Sequence, residues 1–183
     1  MAFLDEHKAK FDNLKVSLEL KNRDHLKRTA NGGNSIIFSY PPNDEVLYIS
    51  KAKELFNETD YKYIDIAQLL VKFIDALSFK KVERKYKIFR ATPYKVFNSG
   101  ETSFFNLIIS EIQLAQKNNQ TAILTRTGTL FGTGIENVNI MEHAVVMGLS
   151  APLILFYPAK IENETLYFLN FKPASKYRCT VIE

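Results

Sequence analysis

Tryptophan is absent from this chain, and cysteine, glycine and proline are scarce, with one Cys, seven Gly and six Pro in 183 residues. A single thiol excludes an intramolecular disulfide and any zinc site built on several thiolates, and it fits a reducing compartment. So little glycine and proline excludes collagen-like and low-complexity chains. Neither sign of charge dominates. The 24 Lys+Arg against 20 Asp+Glu give a formal net charge of +4, milder than in a dedicated nucleic-acid module with its charge on one face. Long apolar runs are also missing. "PLILFY" is among the longest, and the charged N-terminus "MAFLDEHKAKFDNLKVSLEL" reads neither as a signal peptide nor as a span. The expectation is a soluble cytoplasmic protein with no membrane partner.

Core material is plentiful. A hydrophobic content of 46% with 14 Phe supplies one domain of ordinary size, long enough to bury more than half of its unfolded surface. Residues 2–20, with Phe3, Leu4, Phe11, Leu14 and Leu18 roughly at helical spacing, predict an amphipathic helix. "KNRDHLKRTANGGN" reads as a polar connector. "SIIFSY" (35–40) suits a buried strand that "PPND" stops, with Asn43 as a helix cap and Val46, Ile49, Ala52 and Leu55 as one helix face. "YKYID" (61–65) is a second strand, and Asp65 caps a helix with Ile66, Leu69, Leu70, Phe73, Ile74 and Leu77 on one face, the strongest periodicity in the chain. Residues 80–98 read as irregular. Thr102 or Ser99 is expected to cap a helix carrying Phe105, Ile108, Ile109 and Ile112 that ends near Lys117 or Asn118.

"TAILTR" (121–126) is the next strand, followed by a Gly/Thr loop and a helix with a capping-box-like Asn139 and Glu142 and a closing Gly148. "PLILFYP" (152–158), "ENETLYFLN" and "KYRCTVI" are further strands. A turn near "IENE" pairs 153–157 with 165–169 as an antiparallel hairpin, and Cys179 reads as a buried, inert thiol. Strands alternating with helices predict one α/β domain over 1–183. Its sheet is mainly parallel, with helices on both faces and a C-terminal antiparallel edge, a three-layer, Rossmann-like arrangement.

In such a sheet, ligands favour the crevice beyond the carboxyl ends of the strands. The residues delivered there include Ser39, Tyr40, Asn43, Asp44, Asp65, Thr125, Arg126, Thr127, Gly128 and Tyr157. The stretch "ILTRTGTLFGTGIENVNIMEH" (123–143) has the strand, glycines and helix signal of a phosphate loop. It lacks the lysine of a Walker loop and the Gly-x-Gly-x-x-Gly spacing of a dinucleotide site. The preferred reading is a glycine loop joining strand to helix. Arg126 is either an anion ligand or, preferably, an ion-pair partner of Asp44 or Asp65. His7, His25 and His143 have no ligand spacing for a metal, and there is no nucleophile elbow. No catalytic residue and no cofactor is expected. Two basic stretches remain, "KNRDHLKR" with Lys21, Arg23, Lys27 and Arg28, and "KKVERKYKIFR" with Lys80, Lys81, Arg84, Lys85, Lys87 and Arg90 around Tyr86 and Phe89. The second would suit nucleic acid or an acidic protein partner.

Three blocks carry a family resemblance: "SIIFSYPPNDEVLYISKAKEL", "YKYIDIAQLLVKFID", and the run from "AILTRTG" through "LILFYP" to the closing "YRCTVI". Together, over about residues 35–182, they resemble BrxB, the B component of the BREX phage-exclusion systems. Ala159 stands where such proteins usually have Gly after "FYP", and "LFGTG" replaces an aromatic-Pro-Phe stretch. The resemblance implies a non-catalytic component of bacterial antiviral defence. It would work beside a methyltransferase, an AAA-type ATPase and a PglZ phosphatase-like protein, the last as direct partner.

Overall fold

The computed structural model describes residues 5–98, 100 and 102–183. Phe3 and Leu4 of the expected first helix, and Ser99 as a possible cap, lie outside the described residues. The chain is α/β with a mixed, seven-stranded sheet. The strands are β1 (Ser35–Tyr40), β2 (Tyr61–Asp65), β3 (Thr121–Thr125), β4 (Leu153–Glu162), β5 (Thr165–Phe168), β6 (Lys172–Ala174) and β7 (Thr180–Ile182). The helices are α1 (Asp5–Leu18), α2 (Arg23–Thr29), α3 (Glu45–Leu55), α4 (Ile66–Leu77), α5 (Phe79–Ile88), α6 (Lys95–Asn98), α7 (Phe104–Lys117), α8 (Asn137–Met141) and α9 (Ala144–Met147).

The central path runs β2-β3-β4-β1-β7. Along it every pairing is parallel: β2 with β3, β3 with β4, and β1 with both β4 and β7. β4 then outruns the sheet, and its last residues, Ala159–Glu162, pair antiparallel with β5, which pairs antiparallel with β6.

All six residues of β1 are buried, because both faces of the sheet are covered. Successive side chains of a strand point to opposite faces. Ile36, Phe38 and Tyr40 of β1, with Ile154 and Phe156 of β4, therefore join Phe11, Leu14, Leu26, Tyr48 and Ala52 from α1, α2 and α3. Ile37, Leu153, Leu155 and Tyr157 join the opposite core with α4 and α7. The helix face expected for α4 is the one that packs, with Ile66, Leu69 and Phe73 buried and Leu70, Ile74 and Leu77 half-buried against the same core. Asp65 caps it as expected, its Oδ1 accepting from the Gln68 N–H at 3.1 Å.

Several local expectations are corrected. The connector at 21–34 contains α2, and the segment taken as irregular holds α5 and α6. α2 is too polar to announce an apolar face, while α5 spaces Val82, Tyr86 and Phe89 as a narrow one amid its charges. In α3, Tyr48 replaces Val46 on the buried stripe, and Val46 is 74% exposed. The cap position of α3 is Asp44, not Asn43, and it makes no side-chain cap bond. The cap of α7 is Ser103, whose Oγ accepts from the Asn106 N–H at 3.2 Å, rather than Thr102. The capping box of α8 joins Glu136 to Asn139 and does not use Glu142. The hairpin pairs Ala159–Glu162, not 153–157, with β5, because the first half of β4 is already held on both sides by β1 and β3. Its turn, Asn163–Glu164, has φ of 48° and 63°, the double positive φ of a type I′ turn. β7 begins only at Thr180 and runs parallel to β1, so it is not part of the antiparallel edge. Ala159, which follows "FYP", lies inside β4 opposite Phe168.

Candidate functional site

The carboxyl ends of β2, β3, β4 and β1 bring the expected crevice residues to one edge of the sheet, but not into one cluster. Asp65 and Thr125 are register partners on adjacent strands. Directly beyond β3 the backbone turns left-handed at Arg126, φ 53°. This swings the guanidinium sideways to Asp65, and Nη1 lies 3.2 Å from Oδ2. Asp65 thus uses one oxygen to cap α4 and the other to hold Arg126. Of the two partners offered for Arg126, Asp65 is the one it takes.

Thr127 is fully buried and points inward, its Oγ1 donating to the Phe156 carbonyl at 2.7 Å. That bond stitches the loop after β3 to β4. Gly128 follows with its Cα against the hairpin: a Cβ there would lie 3.4 Å from Leu169 and 3.5 Å from Pro158. Tyr40 points the other way, into the core under α3, where its hydroxyl donates to Glu45 at 2.8 Å. Burial, reinforced by the Glu45 carboxylate, pushes the Tyr40 phenol far above its ordinary value. Tyr157, on the opposite core, is pushed up chiefly by burial as well. Neither phenol is poised for proton transfer near neutrality. Asp44 sits beyond β1, with β4 between it and the Arg126 pair.

The phosphate-loop reading turns on where the backbone donors go. An anion-binding loop must leave several N–H groups free and convergent. Here the N–H of Thr129 bonds Arg126 O at 3.1 Å, that of Phe131 bonds Gly128 O at 3.1 Å, and that of Thr133 bonds Leu130 O at 3.1 Å. The Ile135 N–H is taken by Thr133 Oγ1 at 3.2 Å, and the Glu136 N–H by Asn139 Oδ1 at 2.8 Å. Five of the loop's donors are thus taken, while the N–H groups of Gly132 and Gly134 have no acceptor within the described residues. Gly134, with φ 72°, serves packing, since a Cβ there would fall 2.9 Å from Tyr94 Cβ.

The hairpin beyond β4 occupies what would be the ligand crevice. Lys172 of β6 pairs with Glu136 at 2.9 Å, Asn137 Nδ2 donates to Ser175 O at 2.7 Å, and the space left between Leu130, Tyr157 and Phe168 is about 50 Å³. A drug-sized ligand site takes roughly 300–1,000 Å³. At the rim, Phe131 and Phe171 are 53% and 60% exposed and meet edge to face with centroids 5.4 Å apart.

One feature escaped sequence reasoning. An open cleft of about 620 Å³ gathers Tyr94, Lys95, Asn98, Glu142 and His143 from segments far apart in the chain, so no motif announces it. His143 within it is a satisfied histidine: Nδ1 accepts from the Val145 N–H at 3.3 Å and the ring packs on Phe105. Among the described residues no group of three or more His, Cys, Asp or Glu could hold a metal ion, and no helix is long and apolar enough to cross a membrane.

The basic candidates do come together. Lys80, Lys81, Arg84 and Lys87 are exposed on α5, with Lys85 half-buried among them and Arg90 exposed just beyond the helix end. In the other basic stretch Lys21 pairs with Glu19 at 2.8 Å, Arg23 donates to Ser150 O at 2.6 Å and Arg28 to Asp24 O at 3.3 Å, while Lys27 is exposed. Comparisons with protein-family models, with curated proteins and with solved structures find no match to this chain.

Proposed function

We propose that this chain is a non-catalytic, protein-interaction subunit of a BREX-type phage-defence complex in the bacterial cytoplasm. Its scaffold would be a three-layer, Rossmann-like fold with a mainly parallel sheet. The direct partner would be the PglZ phosphatase-like component. One observation carries the reading. The carboxyl edge of the sheet, where an enzyme of this architecture keeps its site, is covered beyond β4 by the chain's own hairpin, and five N–H groups between Thr129 and Glu136 are bonded within the loop after β3. The same observation weighs against the alternative of a nucleotide- or anion-binding enzyme. The blocks that resemble BrxB coincide with whole units of the fold: β1 with α3, β2 with α4, and β3 through β7.

The covered edge also offers a contact surface. An exposed aromatic pair on two loop tips has the make-up of an interface anchor. On this reading Phe131 and Phe171 insert into the partner. The test is co-expression with the PglZ-like and methyltransferase components, followed by affinity capture and gel filtration. The expected result is a stoichiometric complex that the Phe131→Ala, Phe171→Ala double variant weakens at least tenfold, with no hydrolysis by the chain alone. Failure to form a complex with either component would end the proposal.

A further inference from the structure

The excess charge of this molecule is on one helix. Of 24 Lys+Arg and 20 Asp+Glu in the chain, α5 ("FKKVERKYKI") holds five and one. The remainder therefore carries 19 of each and is formally neutral, and the net +4 belongs to ten residues. A modest overall charge thus conceals a dense local one.

The arrangement on the helix is ordered. At 100° per residue, Lys80, Arg84 and Lys87 form one row, and Lys81 and Lys85 form the next, with the 65%-exposed Ile88 continuing it. On the other flank lies a row of Phe79, Glu83, Tyr86 and Arg90. Phe79 is 76% and Tyr86 41% exposed. The buried stripe of α5 is Val82 with the half-buried Phe89, and Tyr86 leans its ring edge on Phe97 at 6.2 Å. Packing fixes the helix in place and turns the basic rows outward. Among the described residues, only Lys87 of the five α5 cations is ion-paired, to Glu83 at 2.8 Å.

We infer that the exposed face of α5 binds single-stranded nucleic acid, without sequence preference. Two cation rows, about 10 Å and about 6 Å long, would track the phosphates, and Phe79 and Tyr86 beside them would offer faces for base stacking. Three observations favour this over an acidic protein. Four of the five cations are lysines, which suit phosphates as mobile point charges but are depleted from protein–protein interfaces. Aromatics alternate with the charge at one helical row's distance, the combination that grips single strands. Four of the five cations are exposed, with Lys85 half-buried, and all but Lys87 are free of ion pairs among the described residues, so counterion release is available to drive binding. This inference is independent of the phage-defence reading.

Fluorescence anisotropy tests it with a dye-labelled oligothymidylate of about 12 nucleotides, a duplex of equal length, and a poly-glutamate peptide of similar charge. The expected result is binding of the single strand ahead of the duplex, with a log–log salt slope of about −3 for roughly four phosphate contacts. Affinity then falls roughly 50-fold between about 50 and about 200 mM salt. Lys80→Glu, Lys81→Glu, Arg84→Glu places acids in the first turns of α5, which the helix dipole tolerates, and should abolish binding. A variant of equal net charge, Lys8→Glu, Lys27→Glu, Lys176→Glu, should change affinity less than threefold. Phe79→Ala should weaken the single strand roughly tenfold through lost stacking and leave the duplex little changed. Circular dichroism confirms that each variant is folded. Absence of binding at low salt, equal loss in the two charge variants, or preference for poly-glutamate would each overturn the inference.

Discussion

Asp65 uses both carboxylate oxygens, and the two uses differ in worth. The bond from Oδ1 to the Gln68 N–H caps α4, and loss of such a cap costs about 1 kcal/mol. The pair with Arg126 involves side chains that are 21% and 47% exposed, so solvent screens it to below about 1 kcal/mol. Urea denaturation should therefore find Asp65→Ala destabilising by about 1.5 kcal/mol and Arg126→Ala by less than half of that. Equal losses would mean that the ion pair, not the cap, dominates. Cys179 presents a different balance. Burial pushes its thiol from 9.0 up to about 12, with Lys176 pulling weakly the other way, and Sγ donates to the Lys176 carbonyl at 3.3 Å. The unfolded chain loses this proton near its ordinary value and the folded chain does not. Stability is thus unaffected by this group below about pH 9 and falls as pH rises towards 12. At pH 8 the native thiol should react with a thiol-specific chromophore at least a hundredfold more slowly than the urea-unfolded chain. Comparable rates would place the thiol at the surface.

Elements that carry their own signal were legible. "SIIFSY" and "PLILFYP" are short apolar runs next to prolines, "YKYID" is a β-prone aromatic run ending in a helix cap, and α4 has an unbroken apolar face above that Asp. What was not legible depends on long-range partners. α2 and α5 are polar helices anchored by one buried side chain each, Leu26 and Val82. β6 has three residues, too short for any period to show, and β7 was read in "KYRCTVI" but without its late start at Thr180 or its parallel pairing with β1. The hairpin register depended on β4 being already occupied by β1 and β3. Within the site, the Asp65–Arg126 pair was among two options read from strand ends, but the burial of Thr127 and the turning-away of Tyr40 follow from which face each strand position takes. One glycine illustrates the gap. Gly33, just before β1, looks like ordinary connector text, yet a Cβ there would lie 1.9 Å from the Arg178 carbonyl oxygen. Backbone, not a flexible side-chain end, is in the way. Gly33→Ala should cost about 3 kcal/mol, the upper range for overpacking, and lower the melting temperature by roughly 6–12 °C. The neighbouring Gly32, with nothing within 4 Å of its Cβ position but φ 79°, should cost only about 1 kcal/mol on the same change. A calorimetric scan of both variants checks the ranking.

At the scale of the whole molecule, the sheet's edge is covered beyond β4 by the hairpin and the excess charge lies away from it, on α5. In an enzyme of this architecture, phosphates meet donors beyond the strand ends. Here five of those donors bond within their own loop, and the cations stand on α5, a surface helix packed against α4 and α6. The two facts make separable predictions for ligands that share phosphate chemistry. A mononucleotide needs a closed, convergent site to bind well, because its charges are compact and engage few separated side chains at once. An oligonucleotide needs only a line of cations. ATP, GTP and inorganic phosphate should therefore leave the melting temperature within about 1 °C of the free value, whereas a ligand at a hundredfold excess over its Kd stabilises by about 2.7 kcal/mol, roughly 5–11 °C for a domain of this length. A shift of that size with a mononucleotide would reopen the loop after β3 as a binding site. If Thr127→Ala, which removes the bond to the Phe156 carbonyl, abolished that shift while leaving oligonucleotide binding intact, the crevice and α5 would be two sites rather than one.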